Sequence, residues 1–174
     1  MERQLIRDIA KNGIIAALYV VITVLTPAIS YLGVQVRLAE MLILLVFFNR
    51  KYSFGMILGC LIANIFSPLG WPDIVFGTLA TALSCLGICF MKHLFLATLF
   101  PVILNGIIVG AELAIIFPAV EHGFWIEFLI QGGLVALGEV IAICIIGYIF
   151  FMLLGKRKYF QEIIDANRNL DFKW

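Results

Sequence analysis

Three glutamates, Glu40, Glu112 and Glu139, stand inside long apolar stretches of this sequence, accompanied by one arginine, Arg37. Ionisable groups in such a setting are costly and face a bundle interior or a water-filled cavity. Carboxylates in excess of nearby cations can hold a cationic or donor-rich molecule through charge-assisted hydrogen bonds. Alternatively, each of Glu112 and Glu139 is a protonated carboxyl bonded to a neighbouring helix, because burial disfavours a charge.

Spacing sharpens the candidates. Arg37 and Glu40 are three apart and share a helical face. They form either an internal ion pair or part of the mouth of a binding cavity. Asn105 and Glu112 are seven apart and project from one face of a helix, which Gly106 and Gly110 thin. Glu139 lies on a stripe with Gly132 and Ala136, whose small size leaves room beside it. Asn64 and Gln131 are expected to make interhelical hydrogen bonds. His93 and His122 lie apart from any carboxylate cluster, so neither a metal site nor a cofactor is expected. The four cysteines fall inside apolar runs and read as packing thiols.

The elements that position these groups follow from composition. Of 174 residues, 63% are hydrophobic and 13% charged, and the mean hydropathy is +1.10. Soluble domains run at about 45–50% apolar and about 25% charged. The balance excludes a disordered chain and a nucleic-acid-binding domain, and it speaks against a soluble enzyme. Continuous apolar runs, rather than alternating ones, exclude a porin-like barrel. The expected solvent is lipid, in a multi-pass protein of the cell membrane.

Six helices are predicted, over about Gly13–Pro27, Gln35–Phe48, Tyr52–Phe66, Asp73–Met91, Leu94–Phe117 and Trp125–Leu154. Asp73 reads as the N-cap of the fourth, and Pro101 as a kink in the fifth. Cytoplasmic loops are rich in Lys and Arg. Six crossings with both termini inside place every Lys and Arg except Arg37 on the cytoplasmic side. The expected organisation is one all-α transmembrane domain over 1–174. Residues 1–11 form a cytoplasmic tail, 12–155 the bundle and 156–174 a second cytoplasmic tail, with a short surface helix expected between Tyr159 and Trp174. The first apolar run lacks a cleavage site and reads as a retained helix. No phosphate-binding GxxxxGK[ST], HExxH or GxSxG motif occurs, so an enzyme is not expected. The two halves show no obvious internal repeat, against an inverted-repeat transporter. On the first helix, Gly13 and Ala17 form a small-xxx-small pair beside Ala16, suited to close helix approach.

Gln35-Val36-Arg37-Leu38-Ala39-Glu40 resembles the QxRxxE segment of the QueT family. The stretch from Pro68 through Trp71-Pro72-Asp73 to Thr81, the pair Asn105-Gly106 with Glu112, and Gly138-Glu139 extend the likeness over about residues 5–155. The resemblance implies the substrate-binding (S) component of an energy-coupling factor transporter, with a six-helix fold and a pocket open to the outside. It implies a 7-deazapurine ligand, the queuosine precursor 7-aminomethyl-7-deazaguanine, and partners consisting of a transmembrane scaffold subunit and two ATPase subunits. It also implies scaffold docking through small residues of the first helix, here Gly13, Ala16, Ala17 and Val20, and toppling of the S component in the membrane to carry its ligand inward.

That ligand suits the residues. Its N–H and exocyclic amine form a donor fork for one carboxylate, and its aminomethyl cation suits a second. Glu112 and Glu139 are expected to divide these tasks. Asn105 would add an amide, Trp71 would stack on or cover the ring, and Arg37 and Glu40 would shape the mouth. The rival readings are an S component for another nutrient or vitamin, an intramembrane enzyme using paired carboxylates, and a membrane subunit with no ligand.

Overall fold

The structure is a computed structural model and describes residues 2–30, 36–118 and 123–166. Gln35, Glu121, His122 and the residues from Asn167 to Trp174 lie outside them. The described residues form helices, with no strand among them. In chain order the α-helices are α1 (Glu2–Leu25), α2 (Pro27–Ser30), α3 (Leu45–Phe48), α4 (Ser53–Ile65), α5 (Trp71–Phe90), α6 (Leu94–Ile116), α7 (Gly123–Glu139), α8 (Tyr148–Gly155) and α9 (Lys158–Ile163). A 3₁₀ segment, Leu38–Leu44, leads into α3, and a π segment, Val140–Gly147, joins α7 to α8. Among the described residues, four runs are long and apolar enough to cross a membrane: Glu2–Leu25, Trp71–Phe90, Leu94–Ile116 and Gly123–Gly155. The second and third predicted helices correspond to the shorter Leu38–Phe48 and to α4.

α1 begins at Glu2, well before the predicted Gly13, because the polar tail is itself helical and its charges find partners. Arg7 and Lys11 pair with Asp165 at 2.9 and 2.7 Å, and Lys51 pairs with Asp8 at 2.5 Å. The helix stops at Leu25, where Thr26 precedes Pro27; the residue before a proline is steered away from helical geometry. The residues after α9 close the same end of the bundle. Tyr52 Oη donates to the Ile164 carbonyl at 2.7 Å, and Asn49 Nδ2 donates to that of Asp165 at 3.0 Å. Asp165 adopts φ 45°, a left-handed conformation that Asp tolerates better than most residues. The N-terminal turns, the 49–52 corner and the C-terminal segment thus meet at one end.

The predicted second helix is the centre of the core. Arg37 caps the 3₁₀ segment in an extended conformation, φ −78° and ψ 92°. Its carbonyl accepts from Glu40 N at 2.9 Å, so it caps the turn that carries Glu40. The 3₁₀ segment buries Ala39, Glu40, Ile43 and Leu44, and from Ile43 to Phe48 the chain is buried throughout. Phe48 meets Phe151 and Phe160 at ring-centroid distances of 5.8 and 6.2 Å.

Lipid is as apolar as leucine, so membrane helices associate by close packing rather than by hydrophobic exclusion. Two interfaces use small residues in this way. Along α1–α4, a Cβ on Gly59 would lie 2.9 Å from Tyr19 Cβ and 3.0 Å from Ala16 Cα. Along α6–α7, a Cβ on Gly110 would lie 2.5 Å from Gly132 Cα, and one on Gly106 would lie 3.2 Å from Ala136 Cβ. The room that the small stripe beside Glu139 makes is taken by α6.

The last long run is not one uniform helix. Among its buried residues, Glu139, Ile143, Gly147 and Phe151 recur every four positions. Four-residue steps drift by about 40° each on an α-helix. The π segment between Glu139 and α8 winds more slowly, so these residues stay on one inward face.

Candidate functional site

α5 starts after Gly70, whose φ of 72° turns the chain out of the Ser67–Gly70 loop. Trp71 is its first residue and Asp73 its third, so Gly70 rather than the predicted Asp73 is the N-cap. An acid in the first turn suits the positive helix end, but Asp73 has a further role. It is 1% exposed and its Oδ2 accepts from Arg37 Nη2 at 3.1 Å. Asn64 of α4 donates to the Asp73 carbonyl at 2.8 Å, an interhelical bond as expected. Gly77, one turn further, leaves space for this arrangement: a Cβ there would press on Asn64 Nδ2 at 2.7 Å.

Glu40 takes its hydrogen bonds from Tyr19 of α1 and, at 3.4 Å, from Thr81 of α5. The internal ion pair open to Arg37 in the sequence is thus made with Asp73. Thr81 is also bonded to Cys60 Sγ at 3.1 Å, so that cysteine sits in a polar chain rather than acting as filler alone. Tyr19, Thr81 and Asp73 were missed in the sequence. Asp73 reads there only as a helix cap, the local explanation for a first-turn acid.

Asn105 of α6 and Glu139 of α7 come together, Nδ2 donating to Oε1 at 2.9 Å. Glu139 Oε2 is buried without a hydrogen bond among the described residues. Glu112 is 2% exposed, and neither of its oxygens has such a bond. Arg37 and Asp73 lie within electrostatic range of Glu112, and Arg37 and Glu40 within range of Glu139. Arg37, bonded to Asp73, is thus within electrostatic range of Glu40, Glu112 and Glu139 as well. A buried carboxylate with no donor is costly unless a proton or a cation neutralises it.

The other predicted residues fall outside this cluster. Trp71 is 71% exposed, two residues from Asp73. Gln131 bonds Glu127 at 2.6 Å within α7, not across helices as expected. The proposed docking residues divide. Ala16 is buried against Gly59, and Val20 is half-buried, whereas Gly13 and Ala17 are exposed. Gly13 lines a groove of about 570 Å³ between α1 and α4, whose walls include Leu5, Ile9, Phe54 and Leu58. Among the described residues no group of His, Cys, Asp and Glu could hold a metal ion.

The chain is 43% identical over 84 residues to the queuosine precursor transporter QueT of Lactococcus lactis subsp. cremoris (strain MG1363). That match covers 47% of this chain and 48% of the relative, so the chain spans about half the length of the curated relative it matches. No solved structure matches it. The QueT transporter model matches residues 9–156, from within α1 to just past α8 and across the whole carboxylate cluster. With four apolar helices long enough to span a bilayer, this is a multi-pass membrane protein, and it belongs to the QueT transporter family.

Proposed function

We propose that the chain is the substrate-binding component of an ATP-driven energy-coupling factor importer, with 7-aminomethyl-7-deazaguanine as its ligand. The observation that carries this reading is Glu112, a carboxylate buried in the bundle with neither oxygen bonded among the described residues. Such a group calls for a partner with paired donors and positive charge. The ligand offers both, and the likeness to a queuosine precursor transporter supports its class. Arg37 already has Asp73, so the remaining acidity is available to an incoming cation.

Six crossings with both termini cytoplasmic account best for the Lys and Arg distribution. The Asp165 contacts to Arg7 and Lys11 hold the two ends of the described chain together, which supports an even number of crossings. α4 runs from that end to the Ile65–Trp71 corner, where Asn64 bonds Asp73; on this reading the carboxylate site faces the outer side. Docking of the scaffold subunit belongs to the exposed Gly13–Ala17 face of α1 and its groove. The two ATPase subunits would act through that scaffold, and toppling of the bundle would bring the site to the inside.

The test is calorimetric titration of the purified protein with 7-aminomethyl-7-deazaguanine, against guanine and an unrelated vitamin. Tight binding of the deazapurine alone is expected. Binding of the vitamin instead would assign the chain to another nutrient. No binding of any of them by folded protein would favour a subunit without a ligand.

A further inference from the structure

Resting on that reading, we infer that the two glutamates have separate and assignable tasks: Glu112 receives the donor fork of the base edge, and Glu139 together with Asn105 receives the ligand's ammonium. The argument begins with the acceptors each offers. A donor fork consists of two parallel N–H groups and is matched by the two oxygens of one carboxylate. Glu112 has both oxygens bare. Glu139 does not, because Oε1 is held by Asn105 Nδ2 at 2.9 Å, leaving Oε2. The amide oxygen of Asn105 then stands beside that bond as a second single acceptor. Two acceptors on different groups suit an ammonium, a compact charge with donors in several directions.

The nearby charges are compatible with this assignment: Arg37 lies within electrostatic range of both glutamates, together with Asp73 at Glu112 and Glu40 at Glu139. Asp73 is paired with Arg37 at 3.1 Å, whereas Glu40 is held by uncharged hydroxyls. The spacing of Asn105 and Glu112 along α6 is of a ligand's length. Glu112 lies two turns from Asn105 on α6, a rise of about 10.5 Å. A bicyclic base with a hydrogen bond of about 2.9 Å at each end covers such a span.

The test crosses two variants with two ligands, 7-aminomethyl-7-deazaguanine and its uncharged 7-cyano analogue, by calorimetric titration of protein whose fold is checked by thermal unfolding. Glu112→Gln should weaken both ligands by a common factor, about 10- to 100-fold for a lost charged hydrogen bond, and keep the parent's preference for the aminomethyl compound. Glu139→Gln should weaken the aminomethyl compound by a similar factor, leave the cyano compound within about threefold, and so erase the preference. If Glu139→Gln does not fold, Asn105→Ala should reduce the preference in the same direction. Loss of preference in Glu112→Gln with retention in Glu139→Gln would overturn the assignment while leaving the ligand reading intact. A parent protein that binds neither deazapurine would overturn both.

Discussion

Arg37 and Asp73, 36 residues apart in sequence, meet at 3.1 Å with both side chains almost fully buried. The pair ties the entrance of the central 3₁₀ segment to the first turn of α5. Its formation leaves Glu40 to the hydroxyls of Tyr19 and Thr81 and leaves Glu112 without a donor among the described residues.

Removing one member of this pair strands the other charge in the bundle. Asp73→Asn should destabilise the protein by about 3–5 kcal/mol, the usual cost of breaking a buried pair. Replacing both residues together, Arg37→Met with Asp73→Leu, should recover much of that loss. Thermal unfolding in detergent compares the three. Equal stability of the single and double variants would mean that the pair is not the source of the effect.

The α6–α7 contact sets the distance between Asn105 and Glu139. Gly110→Ala places a methyl group against the Gly132 backbone, so the helices must separate. Overpacking of this kind costs about 1–3 kcal/mol. Ligand affinity should fall as well, because the Asn105–Glu139 bond lies on the same interface. Titration of the variant, set beside its melting temperature, shows whether affinity and packing change together.

Asp165 gathers Arg7 and Lys11 at the closed end. These contacts are partly exposed, and such pairs contribute only about 0.2–1 kcal/mol each. Asp165→Asn keeps a residue tolerant of left-handed geometry and should cost about 1 kcal/mol at low salt, less at high salt. Ending the chain at Arg157 should cost more, because Tyr52 loses its acceptor and Phe48 loses Phe160. Unfolding measured at two ionic strengths distinguishes the charge contribution from the packing.

Orientation can be read by labelling. With the native cysteines replaced, Trp71→Cys should react with a membrane-impermeant maleimide added outside intact cells. Lys158→Cys should react only after permeabilisation. The opposite pattern would invert the assignment of inside and outside.

On α1, Gly13→Trp and Ala17→Trp should abolish co-purification with a scaffold subunit while the solitary protein still binds ligand. Ala16→Trp should fail earlier, at folding, because Ala16 Cα would be 3.0 Å from a Cβ on Gly59. Retained co-purification in both exposed variants would place the docking face elsewhere.

The helical segments were legible because long apolar runs between basic clusters leave little choice in a bilayer. Arg37, Glu40, Glu112, Glu139 and Asn105 stood out because polar groups are conspicuous in such runs, and the structure brings them into one interior. Asp73 did not stand out, because at a helix start an acid has a sufficient local explanation. Tyr19 and Thr81 are ordinary residues for a membrane helix; their bonds to Glu40 depend on tertiary proximity. The 3₁₀ form of Leu38–Leu44 was not legible, since an apolar run does not distinguish 3₁₀ from α winding. Gly132 and Ala136 were visible as small residues, but which neighbour used the space was not.

The four-residue recurrence from Glu139 to Phe151 also bears on which length changes this run can absorb. On a uniform α-helix twelve residues turn Phe151 about 120° away from Glu139, whereas eleven bring it back to within about 20°. The π segment thus holds one residue more than an α-helix needs to keep both side chains inward. Loss of a single residue within Val140–Gly147 would revert the stretch to α geometry with the carboxylate and the aromatic plug still aligned. A gain of one would turn Phe151 away from Phe48. The tolerance is one-sided: this part of the chain can shorten by a residue without disturbing the site, but it cannot lengthen.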